Sequence, residues 1–109
     1  MSEIKTFHRI DKFEVPENEL QQFLSTVVAS HRQIDGLEGC VRNEVMMKCQ
    51  GEGRFNVVTH VVWEDQTAYD VAVEEMTLFH QRRGGRPEIP SSIKADRANY
   101  IPINFRKQT

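Results

Sequence analysis

The stretch THVVWEDQTAYD, residues 59–70, puts Trp63 where a run of β-formers stops and Tyr69 where a helical pattern starts; a basic pair, Arg82 and Arg83, follows before Gly84 and Gly85. An indole, a phenol and a guanidinium make no nucleophile paired with a base. What they can do is bind a flat ring, hydrogen-bond its oxygens and offset negative charge on a substrate or intermediate. Each also has a plain structural account. A tryptophan and a tyrosine fill the corner between a strand and a helix without any chemistry, and cations followed by glycine suit a helix C-terminus.

Other chemistries find little support in the residues. His8, His31, His60 and His80 fall on four different elements with no pair at ligand spacing, so no metal site is expected, and His31 reads as a satisfied core residue. The glycines of GLEG (36–39) and QGEG (50–53) lack the spacing of a phosphate-binding loop. A net charge of -2 gives no reason to expect nucleic acid or an anionic membrane as a partner. Apolar runs are only a few residues long, and the charged N-terminal stretch does not read as a signal peptide, so a cytoplasmic location is expected.

Positioning these residues requires a fold, and the 109 residues read as a single domain, 1–109. Residues 4–14 suggest a strand. Leu20, Phe23, Leu24, Val27, Val28, His31 and Ile34 follow one helical face between Pro16 and Gly36. CVRNEVMMKC (40–49) and RFNVVTHVVW (54–63) form a hairpin through QGEG. A second helix over 64–85 places Ala68, Val71, Ala72, Met76 and Phe79 on one face, and ANYIPINF (98–105) is the last strand, with Pro102 pointing to an edge. Cys40 and Cys49, on one strand, would stand about 30 Å apart and cannot bridge.

The order β-α-β-β-α-β predicts an α+β, ferredoxin-like domain: an antiparallel four-stranded sheet with two helices on one face. In RFNVVTHVVW, Phe55, Val57, Val61 and Trp63 point one way while Val58 and Val62 point the other. Helices cover only one of these apolar faces, which predicts a homodimer joined through its sheet faces.

FEVPENELQQFL, GLEGC and VVTHVVWEDQTAYDVAV, spread in register over residues 7 to about 80, resemble the antibiotic biosynthesis monooxygenase family. The resemblance implies a dimeric α/β barrel with a cavity between sheet and helices. For some members it implies oxidation of polycyclic phenols by dioxygen with no cofactor. The polyketide-tailoring members place functional residues at the strand-end tryptophan, at a tyrosine six positions on and at an arginine near the end of the second helix. Trp63, Tyr69 and Arg83 stand there. Thr59 replaces the asparagine those enzymes carry four residues before the tryptophan, and keeps a hydroxyl for hydrogen bonding. Haem degraders of the same family use a first-strand asparagine, a tryptophan in the second helix and a histidine near its end. Here the matching places hold Asp11, Ala72 and a residue near Arg82, with His80 matching the histidine only after a shift.

The leading expectation is therefore a cofactor-independent monooxygenase acting on a small aromatic or quinonoid metabolite, with Trp63, Tyr69 and Arg83 catalytic and Thr59 and His80 binding substrate. The alternatives are a non-catalytic small-ligand-binding or stress-related dimer, and a haem-binding or haem-degrading enzyme.

Overall fold

The computed structural model describes residues 5–86 and 88–105. Its central strand, β1 (Phe7–Glu14), is flanked by β3 (Val57–Trp63) and β4 (Lys94–Tyr100), and β2 (Cys40–Met47) closes the sheet against β3. The order β2-β3-β1-β4 is antiparallel throughout. Helix α1 (Leu20–Asp35) joins β1 to β2, and α2 (Gln66–Arg82) joins β3 to β4. This is the expected α+β, ferredoxin-like arrangement.

Local chemistry sets the helix ends. Pro16, at φ -57°, leads into a 3-10 turn, Glu17–Glu19, from which α1 continues. Asp65 caps α2, its carboxylate accepting from the Ala68 N–H at 2.9 Å. Past Arg82 the chain turns through Gly84 and Gly85, both at positive φ, and the Gly85 N–H donates to the His80 carbonyl at 2.8 Å.

Three details differ from the sequence expectation. The hairpin connection is longer than QGEG, since β2 ends at Met47 and β3 starts at Val57; Cys49 and Phe55 lie in that connection, not on strands. Cys40 and Cys49 are both free, as expected, and burial pushes the Cys40 thiol up. The last strand is Lys94–Tyr100, not 98–105. It lies at the sheet edge and stops before Pro102, which has no N–H for the ladder. Val71 is 53% exposed because α2 turns Ala72 and Met76 inward together with the polar Tyr69 and His80.

Strand register decides which side chains meet. Phe7, Arg9, Asp11 and Phe13 face across to Trp63, Val61, Thr59 and Val57, all on the side covered by the helices. The apolar core on that side is split. One cluster holds Phe13, Val15, Phe23, Val57 and Ile93; the other holds Val61, Trp63 and Ala72, with Phe7, Ile34 and Tyr69 packed against it. Arg9 and Asp11 lie between the two along β1, and a cavity opens above them.

The opposite face carries Val58 and Val62, as expected, and also His8 and His60, whose Nδ1 and Nε2 meet at 2.8 Å. One ring must donate and the other accept, so double protonation breaks the contact. Burial, and then the neighbouring His60, hold His8 below the ordinary histidine value of 6.5. The folded protein therefore binds fewer protons here than the unfolded chain, so stability is complete above 6.5 and falls as the pH drops through it. Melting temperature is expected to decline from about pH 7 to about pH 5, and the decline to flatten in His8→Gln. An identical decline in the variant would assign it to other groups.

Candidate active site

The cavity between the sheet and the two helices has a volume of about 820 Å³ and a mostly apolar lining. Its floor is the inward face of β1 and β3: Arg9, Asp11, Phe13, Val61 and Trp63, with Arg97 added by β4. Phe23, Val27, His31 and Ile34 of α1 form one wall, and Tyr69, Ala72, Met76 and His80 of α2 form the other. Ile89, Pro90 and Ile93 of the segment after α2 complete it. That segment is tied to the start of α1, where the Ser92 hydroxyl donates to the Glu19 carboxylate at 2.7–2.8 Å.

Trp63 and Tyr69 sit side by side. The Trp63 ring is 3% exposed and meets Tyr69 edge-on, with centroids 6.4 Å apart, while Phe7 packs on Tyr69 at 5.0 Å. The two aromatics are corner packing and cavity lining at once. Tyr69 is anchored at its polar end, its Oη accepting from Arg9 Nη1 at 3.1 Å.

Arg9 belongs to an ionic cluster that the pattern of charges in the first strand conceals. Arg9 Nε donates to Asp11 Oδ1 at 2.7 Å, Arg97 Nη1 donates to Asp11 Oδ2 at 3.1 Å, and Arg9 Nη1 reaches Asn99 Oδ1 at 3.4 Å. The Arg97 guanidinium lies over the Phe13 ring, 5.3 Å from its centre. A signal for the first two residues existed in the sequence. Arg9 and Asp11 are in period-two phase with Phe7 and Phe13, which places them on the inward face.

The remaining sequence candidates are dispersed. His80 lines the cavity, with its ring edge-on to Phe79 at 5.6 Å. Thr59 is buried at 3% in the sheet, opposite Asp11, and is not among the cavity-lining residues. Arg83 stands at the end of α2 over the Phe79 ring, at 5.3 Å, and lines a smaller neighbouring groove with Ser30, Gln33 and His80. His31 is satisfied, as expected: its Nδ1 donates to Asn43 Oδ1 at 2.7 Å, and Asn43 Nδ2 donates back to the His31 carbonyl at 2.7 Å. Among the described residues no group of three or more His, Cys, Asp or Glu could hold a metal ion, and no helix is long and apolar enough to cross a membrane.

No protein-family model matches the chain, and no curated protein matches it in sequence. Solved structures do match. A candidate monooxygenase from Shewanella loihica aligns over 94% of this chain and 99% of its own, with a TM-score of 0.71 and 14% identity. The haem degrader MhuD from Mycobacterium tuberculosis, in a structure with two haems in its active site, aligns over 93% and 99%, with a TM-score of 0.62 and 18% identity. A conserved protein from Methanosarcina mazei aligns over 89% and 92%, with a TM-score of 0.63 and 14% identity. The chain therefore shares its ferredoxin-like fold with a candidate monooxygenase and a haem degrader.

Proposed function

We propose that the protein is a monooxygenase that takes a small, flat aromatic or quinonoid metabolite into this cavity and oxidises it with dioxygen, without a cofactor. The observation that supports this best is the shared wall: an indole and an anchored phenol, side by side, lining a mostly apolar space of about 820 Å³. A planar substrate packs there on apolar surface while a few polar groups orient its oxygens.

The chemistry asks little of the protein. A phenol with a ring-activated CH2 loses a proton, the resulting anion passes one electron to dioxygen, and the two radicals join as a hydroperoxide. Loss of water then leaves a ketone: CH2 + O2 gives C=O + H2O, with the substrate as its own reductant. The protein's contribution is to exclude water, hold the ring and stabilise the anion. Tyr69 suits the last task, because Arg9 donates to its oxygen and leaves the phenol proton for a substrate oxygen. Arg9 lines the cavity that Arg83 does not, so the cation in this reading is Arg9; Trp63 shapes the pocket, His80 contacts substrate, and Thr59 supports the floor from within the sheet.

Oxygen uptake by the purified protein with anthrone-type phenols tests the reading. Tyr69→Phe is expected to lower turnover at least about tenfold, as loss of one donor to an oxyanion does, with folding retained. Equal turnover would remove Tyr69 from the mechanism. Quenching of Trp63 by the phenols without any uptake would leave a binding site and no enzyme.

The haem alternative fits the residues less well. His80 lines the cavity, but Ala72 stands where the haem degraders carry a tryptophan, and both Asp11 oxygens already accept from arginines. The homodimer remains part of the proposal. Ile10, Val58 and Val62 share the open sheet face with Met46 and Tyr100, and the last two are 42% and 44% exposed. A second copy placed on this face would bury them. A monomer in sedimentation equilibrium at micromolar concentration would end that part.

A further inference from the structure

We propose that the cluster of Arg9, Asp11 and Arg97 on the cavity floor recognises one ionised oxygen group, carboxylate or phenolate, on an aromatic ligand. This rests on the reading of the cavity as the ligand site and narrows the class of ligand it takes.

Charge arithmetic comes first. Two guanidiniums share one carboxylate, so the cluster carries one net positive charge. Asp11 has given both its oxygens, one to each arginine, through a single hydrogen bond to each. All three residues line the cavity, and the arginine side chains keep 28% and 33% of their surface exposed against 12% for Asp11. The charge that the cluster presents to the cavity is therefore mainly the uncompensated positive one. Other charged residues lining the space, Glu19, Arg86 and Glu88, come from the helix entrance and the segment after α2, not from the sheet.

As a stabilising device the cluster is poor. It interrupts the apolar face of β1 and keeps two core clusters apart, where apolar residues of similar volume would stabilise as well or better. As a binding device it is well built. Arg97 is held over Phe13, Arg9 is held by Asp11 and touches Tyr69, and a cation in a mostly apolar cavity attracts an anion. The Tyr69 hydroxyl, already accepting from Arg9, has its own proton to offer the same group.

The test uses three probes whose binding is read from Trp63, the chain's single tryptophan. 2-Naphthoate and 2-naphthamide are near-isosteres that differ in charge; 1-naphthol reports on phenolate. Wild type is expected to bind naphthoate about tenfold more tightly than the amide, or to ionise bound naphthol at a lower pH than free naphthol. The first result assigns a carboxylate, the second a phenolate. In Arg97→Gln the preference is expected to shrink to about twofold or less, with amide affinity unchanged. In Asp11→Asn, which preserves shape and removes the compensating charge, the preference is expected to grow. Opposite changes in two neighbouring variants are beyond a merely structural role, which would weaken all the probes together.

Equal binding of acid and amide, with naphthol ionising as it does in water, overturns the inference and leaves the cavity reading standing. A preference undiminished in Arg97→Gln and unchanged in Asp11→Asn also overturns it. If none of the three probes binds, the cavity reading itself fails and this inference falls with it.

Discussion

Asp11→Ala is expected to cost about 2–3 kcal/mol of stability, among the largest effects of a single substitution in this domain. Asp11 is 9% exposed and accepts from both Arg9 and Arg97. Its removal leaves two like charges on adjacent strands, since Arg97 is its register partner on β4. Removing one member of a fully buried pair costs about 3–5 kcal/mol; here both arginines reach solvent in part, and water takes up some of the stranded charge. A fall in melting temperature of roughly 10 °C or more should follow. If the two guanidiniums do repel, 2-naphthoate should raise the melting temperature of this variant more than that of the wild type, because the ligand then supplies the missing negative charge. A loss below about 0.5 kcal/mol would mean that the arginines are solvated independently and that Asp11 does not organise them.

The same cluster shows where the sequence stops being legible. Charges blur the alternation of the first strand, but its β-branched and aromatic residues still mark it as extended, and the change from the strand ending at Trp63 to a helical pattern is plain; these local patterns are enough to order the elements. Arg9 and Asp11 were readable as inward-facing only by phase, because a charge in a strand ordinarily marks the solvent side. Their partner Arg97 was not readable at all. It lies 86 residues from Asp11 and meets it through the β1–β4 register, and its strand is written in polar residues, KADRANY, that carry no apolar alternation. On α2, an inward face that looks into a cavity tolerates Tyr69, Thr77 and His80, so apolar periodicity alone turned the helix toward Val71. Arg83 stands at the C-cap of α2, where its side chain lies over Phe79 and away from the main cavity.

The second large effect lies outside the cavity, at Gly39, and reaches Trp63 through the backbone. Gly39 adopts φ +87°, and a Cβ built there would stand 2.6 Å from the Cβ of Ala68 in the first turn of α2. The Gly39 carbonyl also accepts from the Glu64 N–H at 2.9 Å, so the loop and the start of α2 cannot separate without losing a hydrogen bond. Gly39→Ala is therefore expected to cost about 1 kcal/mol for the left-handed conformation and about 1–3 kcal/mol for the overlap. Ala68→Gly in the same chain should recover the second part and not the first, measured against Ala68→Gly alone, which carries its own helix penalty. Full recovery would mean that the conformation is not strained; no recovery would mean that the overlap relaxes elsewhere. Cys40, next along the chain, is the register partner of Trp63. A shift that relieves Gly39→Ala by moving α2 must then open the corner that Trp63 and Tyr69 share, and a red-shifted Trp63 emission below the melting transition would report it.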